Sequence, residues 1–159
     1  GTLPHHWNEE MVRNIDYVAI DLKSPANYCK FSKDCDSITA KLEVSKAIKE
    51  MREHMKLIQQ TATILDFRQI PFEFRMTMFT REILESERYY DYSIVEKNFY
   101  DEVQKLKTFK ADLYLQKFKH TGNILDDDKN SPIVEPTNRM IFKHKIELEP
   151  FFNRVIERY

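Results

Sequence analysis

The segment at residues 72–78, Phe-Glu-Phe-Arg-Met-Thr-Met, alternates apolar and polar side chains without a break. Alternation with a period of two is typical of a β-strand, because successive side chains point to opposite faces of the sheet. One face of this strand would carry a carboxylate, a guanidinium and a hydroxyl group, from Glu73, Arg75 and Thr77. The sequence therefore predicts a strand with one apolar face and one polar face.

Two other segments show the same alternation. The first strand is predicted within "DYVAIDLKSP", residues 16–25, where Val18, Ile20 and Leu22 alternate with Tyr17, Ala19, Asp21 and Lys23. It ends at Ser24-Pro25 because proline has no N–H for the sheet. A third is predicted within residues 111–118, where Leu113 and Leu115 alternate with Tyr114, Gln116 and Phe118. All three predicted strands thus carry polar side chains late in their length.

Helical periodicity lies between and around these strands. Apolar residues recur near the 3.6-residue period from about 38 to 60, and this predicts a long helix capped by Asp36 or Ser37. Ser93 and Glu96 fit a capping box that would open a second helix. Shorter helices are expected over residues 5–15 and in the tail after Pro150, whereas residues 61–70 remain ambiguous.

Strands that alternate with helices favour an α/β fold with a parallel sheet, because each helix carries the chain back for the next strand. Late polar residues would then meet at the carboxyl ends of the strands, where such folds place their functional groups. Buried charges need partners or a ligand. Asp21, Lys23, Glu73 and Arg75 could form an internal salt-bridge network, or they could bind a polar ligand; an antiparallel sheet with one solvated face would show the same pattern.

Composition narrows the possible classes of protein. The 159 residues suit one domain, and 25 Lys and Arg against 26 Asp and Glu provide no field for binding nucleic acid. No apolar run is long enough for a membrane span and no signal-peptide pattern is present, so a cytoplasmic protein is expected. With only two glycines, a phosphate-binding glycine loop is not predicted. Cys29 and Cys35 have neither zinc-site nor iron–sulfur spacing and are interpreted as reduced thiols.

The three strand segments, "DYVAIDLKSP", "FEFRMTMF" and "LYLQKF" followed by "TGNILD", resemble the fourth, fifth and sixth strands of the radical SAM family. The branch they resemble most comprises the activating enzymes of anaerobic ribonucleotide reductase and pyruvate formate-lyase. The opening "GTLP" resembles the end of that family's third strand. The resemblance implies that residues 1–159 are the C-terminal half of a (β/α)6 partial TIM barrel with parallel strands.

The resemblance also implies cofactors: S-adenosylmethionine (SAM) and a [4Fe–4S] cluster. The family's cysteine run and its glycine-glycine-glutamate motif are not found in these 159 residues, so the cluster ligands are expected in an N-terminal half, and this segment alone is expected to be inactive. The whole enzyme would cleave SAM to a 5′-deoxyadenosyl radical, and its partner would be a glycyl-radical enzyme. A radical SAM synthase resembling the enzyme that makes carboxy-deazaguanine, and a non-catalytic α/β interaction module, are the alternatives.

Five residues inherit a SAM-binding role from the resemblance. Lys23 and Arg75 would bind the SAM carboxylate, and Asp21 would bind a cation or the substrate. Thr77 and Gln116 would form hydrogen bonds to the methionine or ribose portion. Where some activases carry a histidine late in the sixth strand, this chain has Phe118, and His120 follows two positions later.

Other polar clusters favour a structural interpretation. His5 and His6 are adjacent and are expected to be solvated, as are the aspartates at 126–128. The tyrosines at 89, 90 and 92 lie in the charged and aromatic segment 80–92, where the family commonly has a proline-glycine turn. They are expected to pack or to contact a partner.

Overall fold

The computed structural model describes residues 13–82, 84, 88–119 and 132–158. Six strands follow one another along the chain: β1 Val18–Lys23, β2 Phe72–Met78, β3 Thr80–Arg81, β4 Leu113–Lys117, β5 Ile133–Val134 and β6 Val155–Arg158. The α-helices are α1 Ser37–Phe67, α2 Tyr89–Val103 and α3 Asn138–Leu148. Short 3-10 turns lie at Pro25–Asn27, Gln104–Phe109 and Glu149–Phe151.

Four of the strands form a parallel sheet in the order β1-β2-β4-β6. The spatial order follows the chain order, and the predicted α/β class with parallel strands is confirmed. A parallel sheet also excludes the antiparallel interpretation of the alternating pattern. The remaining strands, β3 and β5, pair with each other antiparallel outside this sheet.

The two faces of the parallel sheet differ. One face is apolar and buried against the helices, with α1 packed on α2 and α2 joined to α3 through Tyr100 and His144. Its buried side chains include Ile20, Leu22, Phe74, Met76, Met78, Leu113 and Leu115. On the opposite face, Ala19, Asp21, Lys23 and Thr77 of β1 and β2 are exposed, so the described residues leave it largely uncovered. We call it the open face.

The open face departs from the expectation that both faces of a parallel sheet are covered. Each crossover in a sheet built in chain order turns with the same hand, so the connecting helices all lie on the same side. The alternation in the sequence therefore reflects one packed face and one solvated face.

Helix α1 begins where it was expected, because Asp36 accepts hydrogen bonds from the backbone N–H of Ile38 at 2.9 Å and Thr39 at 2.7 Å. It continues through the ambiguous segment to Phe67. Ile38 and Leu42 do not belong to its buried stripe, since they are 71% and 65% exposed. Although α1 has 31 residues, neither it nor any other helix in the described ranges is long and apolar enough to cross a membrane.

The capping box predicted at Ser93 is wrong. Helix α2 begins at Tyr89, with Arg88 at its N-cap, five residues before the predicted cap, and the Ser93 hydroxyl donates to the carbonyl of Tyr90. Glu96 instead accepts a hydrogen bond from Lys143 at 2.7 Å. The expected buried stripe of this helix is confirmed, with Val95, Phe99, Val103 and Leu106 all buried.

The tail also differs from its prediction. Residues 155–158 form β6 and not a helix, and β6 pairs in parallel with β4. Helix α3, at residues 138–148, had not been predicted. The apolar spacing in the tail matched a helical period, but the β-branched pair Val155 and Ile156 suits a strand, and pairing with β4 outweighs the local pattern.

Candidate functional site

The strand register brings the five predicted site residues together on the open face. Asp21 lies beside Arg75 in one row across the sheet. In the next row, Thr77 lies between Lys23 and Gln116. Neighbouring strands are about 4.8 Å apart, so groups in one row can contact the same small molecule. The register therefore places the five residues in two adjacent rows, of which the row of Lys23, Thr77 and Gln116 lies nearer the carboxyl ends of the strands.

A buried carboxylate, that of Glu73, holds the side chain of Arg75 in the row formed by Asp21 and Arg75. Glu73 is only 4% exposed, and it accepts hydrogen bonds from the Tyr17 hydroxyl and from Arg75 Nε, the latter at 2.5 Å. Burial acts to raise the pKa of Glu73, but the bonds from Tyr17 and Arg75 outweigh it and the pKa lies below its ordinary value. The same pairing raises the pKa of Arg75. Glu73 is therefore ionised and holds the Arg75 side chain in place.

The internal salt-bridge hypothesis is half correct. Glu73 and Arg75 form an ion pair, whereas Asp21 and Lys23 form none with any described residue. Arg75 uses Nε for Glu73, and its two terminal nitrogens have no hydrogen-bond partner among the described residues. These nitrogens and the Asp21 and Lys23 side chains remain available to a ligand.

An aromatic-cation pair on the open face was missed from the sequence. The guanidinium of Arg158 in β6 lies 3.7 Å from the ring centre of Tyr114 in β4. Arg158 also aligns with Gln116, so it extends the second row by one strand. The β-branched pair Val155 and Ile156 could have indicated the strand that carries Arg158, but these residues were interpreted as part of a helix.

A cleft of about 680 Å³ opens beside the open face, at the end of β1. Its walls come from the segment after β1 and from α1: Lys23, Asn27, Tyr28, Lys30, Phe31, Glu43, Lys46, Ala47, Glu50 and His54. Of the five predicted site residues, only Lys23 lines it. Lys23 thus belongs to the second row by its backbone position and to the cleft by its side chain. The other four lie on the open face, outside this cleft.

The two cysteines do not fit an iron–sulfur site. Cys29 is completely buried in the core, and burial raises the pKa of its thiol. Cys35 lies in the following loop, where its sulfur is 3.2 Å from Arg88 Nη1. Within the described ranges, no group of three or more His, Cys, Asp or Glu side chains could hold a metal ion. His5, His6, His120, "GTLP", "TGNILD" and the aspartates at 126–128 lie outside the described residues.

The segment 80–92 carries two buried arginines that sequence reasoning did not identify. Arg81 is 1% exposed; its Nε donates to the carbonyl of Ala26 at 3.2 Å. Arg88 donates to the carbonyl of Ser32 at 2.7 Å and pairs with Glu43 at 3.1 Å and with Asp91. Both arginines therefore attach this segment to the loop that follows β1. Of the three tyrosines here, Tyr92 is buried, whereas Tyr89 and Tyr90 are exposed.

A second polar cluster lies buried between α2 and α3. His144 is 2% exposed; its Nδ1 lies 2.6 Å from the Tyr100 hydroxyl and its Nε2 lies 3.5 Å from Glu96 Oε1. Burial lowers the pKa of His144 to about 4, and the nearby Lys143 acts in the same direction. The imidazole is therefore neutral at pH 7, and this cluster fixes the two helices together.

This cluster predicts a dependence of stability on pH. The folded pKa of about 4 lies below the ordinary 6.5, so between these values the unfolded chain binds more protons and acid favours unfolding. Replacing His144 with Gln removes this component. Relative to His144→Gln, wild type should lose about 2 kcal/mol of unfolding free energy when the pH falls from 7 to 5. Urea unfolding at both pH values measures it, and a pH-independent difference would contradict the assignment.

The fold and the open face define the chain as an α/β protein whose parallel sheet is covered on one side and presents two rows of polar residues on the other. Comparison with models of protein families, with curated proteins and with solved structures finds no match. The function is therefore argued from the site itself.

Proposed function

We propose that the open face binds SAM and that the chain forms the C-terminal part of a radical SAM partial barrel, resembling the activating enzymes of glycyl-radical enzymes. The observation that carries this proposal is the register of the two rows. It gathers Asp21, Arg75, Lys23, Thr77 and Gln116 on one uncovered face. Two properties of the molecule support it, the arrangement of the sheet and the chemistry of the side chains.

The arrangement of the sheet is compatible with part of a barrel. In a barrel of alternating strands and helices, the strands follow chain order, the helices form the outer layer and the inner face is enclosed by the strands. Here the four strands follow chain order and the helices cover one face. The open face would then be the inner face, which is where a partial barrel would hold its ligand.

The side chains suit a zwitterionic ligand. SAM carries a carboxylate, an ammonium group and a sulfonium group. The terminal nitrogens of Arg75 would bind the carboxylate in a bidentate manner while Nε stays bonded to Glu73. Lys23 would be a second donor to it, and Asp21 would attract the cationic groups or a substrate. Thr77 and Gln116 would form hydrogen bonds to the methionine or ribose portion.

The described residues do not supply a cluster site, so no step of radical formation is assigned to them. The chemistry that SAM would supply when bound, with one electron from a cluster held outside the described residues, is hydrogen-atom abstraction by a 5′-deoxyadenosyl radical. The residues of this chain would bind SAM, orient it and limit the access of water. The proposed protein partner is a glycyl-radical enzyme, and a small-molecule substrate is the alternative within the same class.

Titration of SAM into the 159-residue chain by calorimetry tests the proposal. We expect saturable binding of one SAM per chain, and weaker binding of methionine, which lacks the nucleoside. The coding sequence upstream of Gly1 provides an independent check, because the proposal requires a cysteine run with three and then two intervening residues there. Absence of SAM binding, or absence of that cysteine run, would contradict the proposal.

The second candidate is a non-catalytic interaction module whose charged residues are structural. The bonds from Tyr17 and Arg75 to the buried Glu73 favour it, because they satisfy that carboxylate without any ligand. This hypothesis predicts that SAM does not bind. It also predicts that Arg75 contributes to stability and not to ligand binding. A single titration with SAM therefore distinguishes the two candidates.

A further inference from the structure

Helix α3 carries an exposed apolar pair on the side that faces away from the core. Phe142 and Ile146 are 60% and 50% exposed, and residues four positions apart are neighbours on the surface of a helix. The opposite side of α3 packs into the protein through Ile141, His144 and Leu148, which are all buried. The described residues therefore leave two adjacent apolar side chains of this helix in contact with water.

Opposite charges lie at the two ends of this pair. Arg139 precedes Phe142 by three residues, Glu149 follows Ile146 by three, and both are exposed. This spacing of three, four and three residues keeps the four side chains on one face of a helix. Glu149 follows the last residue of α3 but retains helical backbone angles, φ −49° and ψ −38°. We call these four residues the α3 stripe.

The two lysines that flank the α3 stripe are paired within the chain. Lys143 donates to Glu96 of α2 at 2.7 Å, and Lys145 donates to Glu157 of β6 at 3.1 Å. The charged residues of the stripe itself differ from them, because they have no ion-pair partner among the described residues. The stripe therefore presents one unpaired cation at its start, an apolar pair in the middle and one unpaired carboxylate at its end.

We infer that the α3 stripe binds the α3 stripe of a second copy of the chain, in an antiparallel pair about a two-fold axis. In a two-fold interface the same surface is used by both copies, so it must be complementary to itself. With the helices antiparallel, Phe142 faces Ile146 of the second copy, and Arg139 faces Glu149 at both ends of the pair. The sequence of cation, apolar pair and carboxylate fits a second copy for this reason.

The position and size of the α3 stripe set the properties of this dimer. Each copy contributes one helix of 11 residues, about 16 Å long, so the interface is small and the dimer should be weak and reversible. The buried side of α3 belongs to the core on the covered side of the sheet. Dimerisation would therefore leave the open face accessible, and the inference does not depend on SAM binding.

Sedimentation velocity of the 159-residue chain between about 5 and 500 µM tests the inference, because a weak dimer dissociates on dilution over such a range. We expect monomer at the low end and an increasing fraction of dimer at the high end. Phe142→Ala should weaken self-association about tenfold, because each dimer loses this apolar contact twice. Phe67→Ala is the matched control, since Phe67 is 82% exposed at the end of α1 and should not affect the dimer.

Charge reversal tests the antiparallel arrangement. Arg139→Glu and Glu149→Arg should each weaken self-association about tenfold, because each change places like charges together at both ends of the pair. An equimolar mixture of the two variants should recover the dimer, since opposite charges then meet at both ends. The replaced residues are exposed, so urea unfolding should show that every variant is as stable as wild type.

Three results would each overturn the inference. The first is the absence of self-association at about 500 µM, which would leave the α3 stripe to a different partner. The second is equal self-association of Phe142→Ala and Phe67→Ala, which would place the dimer contact elsewhere on the molecule. The third is a mixture of Arg139→Glu and Glu149→Arg that associates no better than either variant alone.

Discussion

Truncation of Phe74 to Ala is expected to lower the free energy of unfolding by about 3 to 5 kcal/mol, the usual range for a large aromatic residue removed from a core. Phe74 lies near the middle of β2 and is completely buried on the covered face. Its ring packs edge-on against Phe72 and Phe152, with 5.6 Å between ring centres in both pairs. The variant would lose the ring contact to Phe72, its neighbour in β2, and the ring contact to Phe152, in the segment before β6.

Phe67→Ala provides the matched control for this prediction. Phe67 is the last residue of α1 and is 82% exposed, so the same truncation should change stability by no more than about 0.5 kcal/mol. Urea unfolding of wild type and both variants measures the two values. Similar losses in Phe74→Ala and Phe67→Ala would show that the packed face of the sheet is assigned wrongly.

The second large effect is expected on ligand affinity. Arg75→Ala should weaken SAM binding about 10- to 100-fold, because it removes a charge-assisted contact worth about 1.5 to 3 kcal/mol. Arg75→Lys should recover only part of this affinity, since an ammonium group cannot form the bidentate contact. Calorimetric titration of SAM into wild type and both variants gives the comparison.

Arg75 also pairs with the buried Glu73, so its removal should lower stability as well as affinity. Each titration is therefore performed at a temperature where urea unfolding shows the variant to be folded. Arg68→Ala is the control for a change of charge, because Arg68 is exposed and follows the end of α1, away from both rows. If Arg75→Ala and Arg68→Ala bind SAM equally well, Arg75 has a purely structural role.

The strand pattern carried most of the information on the site. Strict alternation in β2 separated Phe74 and Met76 from Glu73 and Arg75, and the structure places these two sets on opposite faces. Alternation is informative here because one face is packed and the other is solvated. The same pattern could not reveal that one face lacks helices, since this depends on the side to which each crossover turns.

Long-range contacts account for the failures. The segment before Arg158 fits a helical period, and only pairing with β4 makes it a strand. Ser93 and Glu96 have the spacing of a capping box, yet Glu96 instead pairs with Lys143, 47 residues later in the chain. The cleft likewise depends on how α1 packs beside the loop after β1. No local pattern encodes such distances, so the Tyr114–Arg158 pair and the buried contacts of His144 could not be predicted from the sequence.

The measurement that tests the central claim most directly is amide mapping of SAM on the isotope-labelled chain by nuclear magnetic resonance. If the open face is the ligand surface, the largest shifts on addition of SAM should occur at Asp21, Arg75, Thr77 and Gln116, across three neighbouring strands. Residues on the far side of α1, such as Lys41, should not shift. Shifts confined to Lys46 and His54 in the cleft, or no shifts at saturating SAM, would contradict the account.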